Sequence, residues 1–297
     1  MFPIIPAASA ADSGNQEGIF GFGAKAGNIK TAVTNLVSNA GVVATDVTGV
    51  GTARVEPAAC EYGGDKGIFG YGMDASGNVS MSNLVSNAGV VATDVTGVGT
   101  ARQTLAACGY GGDKGIFGFG SGPTAITNLV SNAGVVGTDV TGVGTIRSEL
   151  AACEYGGDKG IFGFGWTGSK VSMTNLVSNA GVVATDTTGV GTARRKLKAC
   201  SYGGDKGIFG FGHDSGDVSM TNLVSSSGVV ATDTTGVGTA RKQLAACEYG
   251  EDKGIFGYGY AGDYVSMTNL VSNAGVVATD VTGVGTARES LAACSFN

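Results

Sequence analysis

The sequence predicts an all-β protein: a six-bladed β-propeller of four-stranded antiparallel blades, its ring closed by the C-terminal strand. Three observations predict it. A Gly-Ile-Phe-Gly block begins at Gly18, Gly67, Gly115, Gly160, Gly207 and Gly254, at intervals of 45 to 49 residues. Each interval holds four apolar stretches separated by glycine-bearing turns, and four antiparallel strands in ~40 to 50 residues is the length of one propeller blade. The chain also enters its first unit at a second strand, Glu17-Gly18-Ile19-Phe20, and leaves on a first strand, Leu291 to Phe296. An open array needs polar capping repeats at its ends, whereas a ring lets the last strand become the innermost strand of the first blade. Residues 1–16 read as a lead segment and residues 17–297 as a single propeller domain.

The unit that starts near Leu150 shows how each strand is read. Leu150 to Tyr155 is the innermost strand, and Gly156-Gly157-Asp158 is a tight turn whose glycines supply positive φ. Lys159 to Gly165 follows. Strict two-residue alternation puts Phe162 and Phe164 on one face and Ile161, Gly163 and Gly165 on the other. Val171 to Ser178 is the third strand, Asn179-Ala180-Gly181 turns the chain, and Val182 to Thr188, rich in Val and Thr, is the fourth.

Composition narrows the partners. Hydrophobic residues make up 42% and charged ones 14%, enough apolar material for a core. The 54 glycines against 4 prolines follow neither a collagen triplet nor a linker pattern, so they mark turns and close backbone approaches. A net charge of −6 argues against nucleic acid, whose binding depends on neutralising phosphates. No apolar run reaches the ~18 to 20 residues that cross a bilayer, so no membrane span is expected. Met1 to Pro6 is apolar but lacks the basic start and long apolar stretch of a secretory signal.

The stretch from Arg147 to Gly165, Arg-x-x-Leu-Ala-Ala-Cys-Glu-Tyr-Gly-Gly-Asp-Lys-Gly-Ile-Phe-Gly-Phe-Gly, resembles the Kelch repeat. In that repeat an arginine precedes an alanine-rich inner strand, and an apolar strand ending in glycines follows. The resemblance covers residues 17–297. It departs from the repeat in lacking the outer-strand tryptophan and in carrying Gly-Phe-Gly where a glycine pair is usual. The wording Thr-Asn-Leu-Val-Ser with Gly-Val-Val-Ala-Thr-Asp is also similar to Kelch-like arrays in predicted tail or structural proteins of aquatic phages. That similarity implies a place in a virion or an extracellular appendage.

Three recurrent sets of residues read as structural. Cys60, Cys108, Cys153, Cys200, Cys247 and Cys294 fall on the innermost strands. Disulfides would have to join adjacent blades, whose central strands lie beyond the ~4.4 to 6.8 Å Cα separation a bridge allows, and a six-thiol metal ring does not match zinc's four close ligands. Six buried free thiols and no metal are expected. Asp46, Asp94, Asp139, Asp186, Asp233 and Asp280 each precede Arg54, Arg102, Arg147, Arg194, Arg241 and Arg288 by eight residues. This acid and base read as hydrogen-bonded pairs that lock each blade to the next, with a charge-lined pore as the alternative.

Catalytic residues are not apparent. His213 is the only histidine, and six equivalent acids give no reason for two of them to differ in pKa. The glycine-rich segments lack the helix that a phosphate loop requires, so no cofactor is expected. The six copies differ mainly after the second strand, at residues 24–28, 73–78, 121–124, 166–170, 213–217 and 260–264. Loops on a rigid scaffold commonly carry binding. Trp166, Lys170, His213, Asp214, Tyr260, Tyr264 and Asp74 are therefore the candidate contacts for a glycan or protein partner, with Arg195-Lys196 and Glu289-Ser290 flanking them. The alternatives are a purely architectural ring in a larger assembly and an enzyme with its site on the loop face.

Closure has a direct test. Deleting Leu291 to Asn297 leaves the strand at Glu17 as an unpaired edge, and a sharp fall in melting temperature or aggregation is expected. An unchanged melting temperature counts against closure.

Overall fold

A computed structural model describes residues 16–297; the lead segment, apart from Gln16, lies outside the described residues. Regular structure among them is entirely β and antiparallel. Six three-stranded sheets carry the repeat. Sheet I joins Ala292–Phe296, Glu17–Gly21 and Thr34–Val37; sheet II joins Ala58–Tyr62, Lys66–Gly70 and Ser82–Val85. Sheet III joins Ala106–Tyr110, Lys114–Gly118 and Thr127–Val130; sheet IV joins Ala151–Tyr155, Lys159–Trp166 and Lys170–Val177. Sheet V joins Lys198–Tyr202, Lys206–Gly210 and Thr221–Val224; sheet VI joins Ala245–Tyr249, Lys253–Tyr260 and Tyr264–Val271.

The C-terminal strand pairs with the first one, Glu17 opposite Phe296 and Gly21 opposite Ala292. First strands of successive sheets lie side by side from sheet II to sheet VI, and Ala292–Phe296 touches both Ala245–Tyr249 and Ala58–Tyr62. The neighbour relation thus returns to its start.

Glycine makes this close approach possible. The first glycine of each Gly-Ile-Phe-Gly seats a cysteine of the preceding sheet: a Cβ on Gly254 would stand 2.6 Å from the Cys200 Sγ. The last glycine seats a phenylalanine of the following sheet. A Cβ on Gly210 would meet the Phe256 ring at 2.7 Å, and one on Gly257 would meet Phe20 at the same distance, joining sheet VI to sheet I. One four-residue motif therefore supplies a knob to one neighbour and a socket to the other.

Strict alternation fails at Phe164. Phe162 packs on Phe119 of sheet III, but Phe164 packs on Phe209 of sheet V, each with ring centroids 5.2 Å apart. The cause is a register shift between Gly163 and Gly165, with Phe164 at φ 63°. The bulge turns Phe164 to the face that carries Ile161.

The expected fourth strand is likewise reduced. In sheet IV the segment after Asn179-Ala180-Gly181 makes only the isolated bridges Val177 to Val183 and Thr174 to Thr187. Between the two bridges three residues on one side face two on the other, so the ladder cannot run on. The intervening Asp186 is drawn away, accepting hydrogen bonds from Thr145 of the preceding unit.

The interlock predicts a contrast between two glycines. Gly210→Ala forces a methyl into the Phe256 ring and should cost ~1–3 kcal/mol in urea unfolding. Gly216→Ala has nothing within 4 Å of the added Cβ and should stay within ~0.5 kcal/mol of the parent.

Candidate functional site

The arginine and aspartate rings join neighbouring sheets, by a geometry other than direct hydrogen-bonded pairing. All six arginines are fully buried. Arg102 stacks on the Tyr71 ring of sheet II, while its Nε–H donates to the Phe119 carbonyl and its Nη2 to Asn128 Oδ1 in sheet III, at 2.8 and 2.7 Å. Arg288 does the same between Tyr258 and the Phe22 carbonyl.

The aspartate nearest each arginine belongs to the following unit, not the one eight residues before. Arg54 and Asp94 stand 3.9 Å apart, and Arg147 and Asp186 3.8 Å. The carboxylate's hydrogen bonds come instead from a threonine of the preceding unit and an asparagine of its own. Thr52 donates both its N–H and Oγ1–H to Asp94, and Thr286 donates to Asp46, linking the last unit to the first. Burial raises the Asp94 carboxyl, but the Thr52 and Asn83 donors and the Arg54 charge outweigh it and hold it below its usual value.

The six cysteines are buried free thiols along the axis. Burial, and after it the neighbouring thiols, lift Cys108 and Cys200 well above the usual range, so they stay protonated and unreactive. With Glu61, Glu154 and Glu248 they line an axial cavity of about 40 Å³. The glutamates come from every second sheet, with Gly109, Ser201 and Ser295 between them. Among the described residues no three His, Cys, Asp or Glu side chains are grouped to hold a metal ion.

At one end of the axis the variable loops meet the connections that follow each arginine. Ser148 bridges to Trp166, Arg195 to His213 and Lys242 to Tyr260. From these pairs a continuous polar and aromatic arc runs over sheets IV, V and VI. Arg195 stacks over Trp166 at 4.6 Å and donates to Glu149 at 3.0 Å. His213 Nδ1 meets Asp217 Oδ1 at 2.8 Å, and Lys242 Nζ reaches the same oxygen at 3.1 Å. Lys242 also sits 5.4 Å from the centre of the Tyr260 ring, which packs edge-on against Tyr264.

Trp166, His213, Tyr260 and Tyr264 thus belong to one arc, whereas three other candidates brace loops. Lys170 donates to the Asp214 carbonyl of the next loop, and Asp214 caps its own turn through Ser215 and Gly216. Asp74 accepts from Ser76 and Gly77, distant from the arc at the edge of sheet II. Sequence reasoning missed Glu149, Asp217 and Lys242, because a charge in a variable connection carries no sign of the aromatic ring that tertiary packing sets beside it.

No family model matches the chain, and no curated protein matches it.

The axial glutamates predict a pH effect. Burial, then the Glu61 charge, pushes the Glu154 carboxyl up to about 8, far above its ~4.3 in an unfolded chain. The folded state therefore binds this proton more tightly, and stability falls as pH rises from ~4.3 through about 8. Glu154→Gln should melt higher than the parent at pH above 8, with the gap closing towards pH 4.5. An equal gap at both ends would show that folding leaves the Glu154 carboxyl at its unfolded value.

Proposed function

We propose that the chain is a six-bladed, Kelch-like propeller acting as a non-catalytic recognition module, with a glycan or protein bound on its loop face. The observation that carries this reading is the continuous arc from Trp166 through Arg195, His213, Asp217 and Lys242 to Tyr260 and Tyr264. Aromatic faces suit sugar rings and protein hot spots, and the charged groups between them supply directed hydrogen bonds. The rest of each repeat is occupied with holding its neighbours. A virion or extracellular appendage is the proposed setting, and it rests on the wording of the repeat.

One observation favours an architectural role beside this. Val42, Val90, Val135, Val182, Val229 and Val276 are each 64–65% exposed, so every unit presents the same apolar side chain. A symmetric array of that kind suits packing into a larger assembly.

Replacing Trp166, Tyr260 and Tyr264 together by alanine tests the recognition reading. The melting temperature should hold while binding on a glycan array, or attachment to the host surface, drops. Undiminished binding by the triple variant would move the site off the arc.

A further inference from the structure

The loop-side mouth of the axis is rimmed by one residue from each unit: Glu56, Thr104, Glu149, Lys196, Gln243 and Ser290. A collar of leucines, with Pro57 in one unit, walls the recess, and Lys198 stands at its edge. The recess is small, with a cavity volume of about 40 Å³.

The backbone at this rim is fixed and strained. All six residues have φ between 53° and 57°, the left-handed region that favours glycine or asparagine. None of the six is either. Where conformation alone matters the same repeat uses glycine, as at Gly63 and Gly64. Most of the rim is tied to itself: Ser290 donates to the Gln243 carbonyl, Gln243 to Lys196, Lys196 to Glu149 and Glu149 to Thr104, at 2.8 to 3.0 Å. Polar side chains are thus held at a conformational cost on a rigid frame, a combination that marks functional positions.

The rim is also where the six copies diverge in charge. Glu149 is engaged by Arg195 at 3.0 Å, and Gln243 donates to Ser290 Oγ at 2.8 Å. Glu56 and Lys198 remain. Neither makes a side-chain hydrogen bond or a close ion pair among the described residues; Lys198 feels the charge of Glu56, and Glu56 feels first Lys196, which stands 3.8 Å from Glu149, and then Glu149 and Lys198. Burial disfavours the charged form of both, raising Glu56 and lowering Lys198. Glu56 leads into sheet II and Lys198 opens the first strand of sheet V, three sheets on, so they stand on opposite sides of the recess. Lys198 is the departure from a repeated alanine, since Ala58, Ala106, Ala151, Ala245 and Ala292 hold its place in the other units.

A carboxylate and an ammonium on opposite sides of a small, partly desolvated recess complement a ligand that carries both charges. We propose that the mouth binds a compact amino-acid zwitterion, its ammonium against Glu56 and its carboxylate against Lys198. This site is separate from the outer arc and goes beyond the recognition reading.

Titration calorimetry on the full chain with glycine, β-alanine and γ-aminobutyrate tests it, with acetate and methylammonium as single-charge probes. At least one zwitterion should bind saturably at one per chain while neither single-charge probe does. Lys198→Ala and Glu56→Gln should each weaken that binding roughly tenfold or more. Lys198→Ala restores the residue of the other five units, so an unchanged melting temperature shows that its fold is intact. Three results overturn the proposal: no zwitterion binds, acetate binds as well as the zwitterions, or Lys198→Ala binds undiminished. The alanine variant at Trp166, Tyr260 and Tyr264 should keep amino-acid binding, so failure of one reading is visible apart from the other.

Discussion

Between each pair of neighbouring sheets lies a fully buried guanidinium, and the geometry around it follows from what a buried charge requires. Taking an arginine out of water costs several kcal/mol unless its charge and donors are met. Here the aromatic ring of one sheet lies 4.0 to 4.4 Å beneath it, and donors reach a threonine carbonyl and, in several units, the next sheet. Burial pulls Arg54 and Arg147 down to about 10, which leaves them charged at neutral pH. That ring reaches the guanidinium only because its residue, such as Phe164, sits at positive φ on a bulge. The glycine after it is also at positive φ, with no room for a side chain against the neighbouring backbone. The arginine therefore accounts for the Gly-Phe-Gly that ends the second strand.

A repeat bound so closely on both sides has little freedom to vary. Any side chain at Gly210 or Gly254 collides with the adjacent sheet, and any change at an arginine strands its partners. Freedom survives at the two ends of the axis. At one end glutamate alternates with glycine or serine, and burial, then the charge of Glu61 nearby, raises the Glu154 and Glu248 carboxyls so that they hold protons near neutral pH. At the other end the rim and the outer loops differ from unit to unit. Chemical individuality is concentrated where the packing demands are least.

The outer segments show a related compromise. Each could extend its sheet by a fourth strand, but its aspartate is taken up by a threonine of the preceding unit. Linking the sheets interrupts the ladder, and the valines at its start are left facing solvent.

The sequence by itself determined the all-β class, the repeat boundaries, the first three strands of each unit and the burial of the cysteines. These follow from local pattern: glycine turns, β-branched stretches and recurrence at one spacing. It also pointed to Trp166, His213, Tyr260 and Tyr264, because near-identical copies make a divergent loop conspicuous. Tertiary structure alone decided the rest. The switch of Phe164 to the other face depends on a bulge whose purpose is an arginine of a neighbouring connection. The partner of each aspartate is a threonine about 40 residues away, or 240 in the case of Asp46 and Thr286, a distance no local pattern encodes. Glu56 and Lys198 face each other only because units three apart stand on opposite sides of one axis.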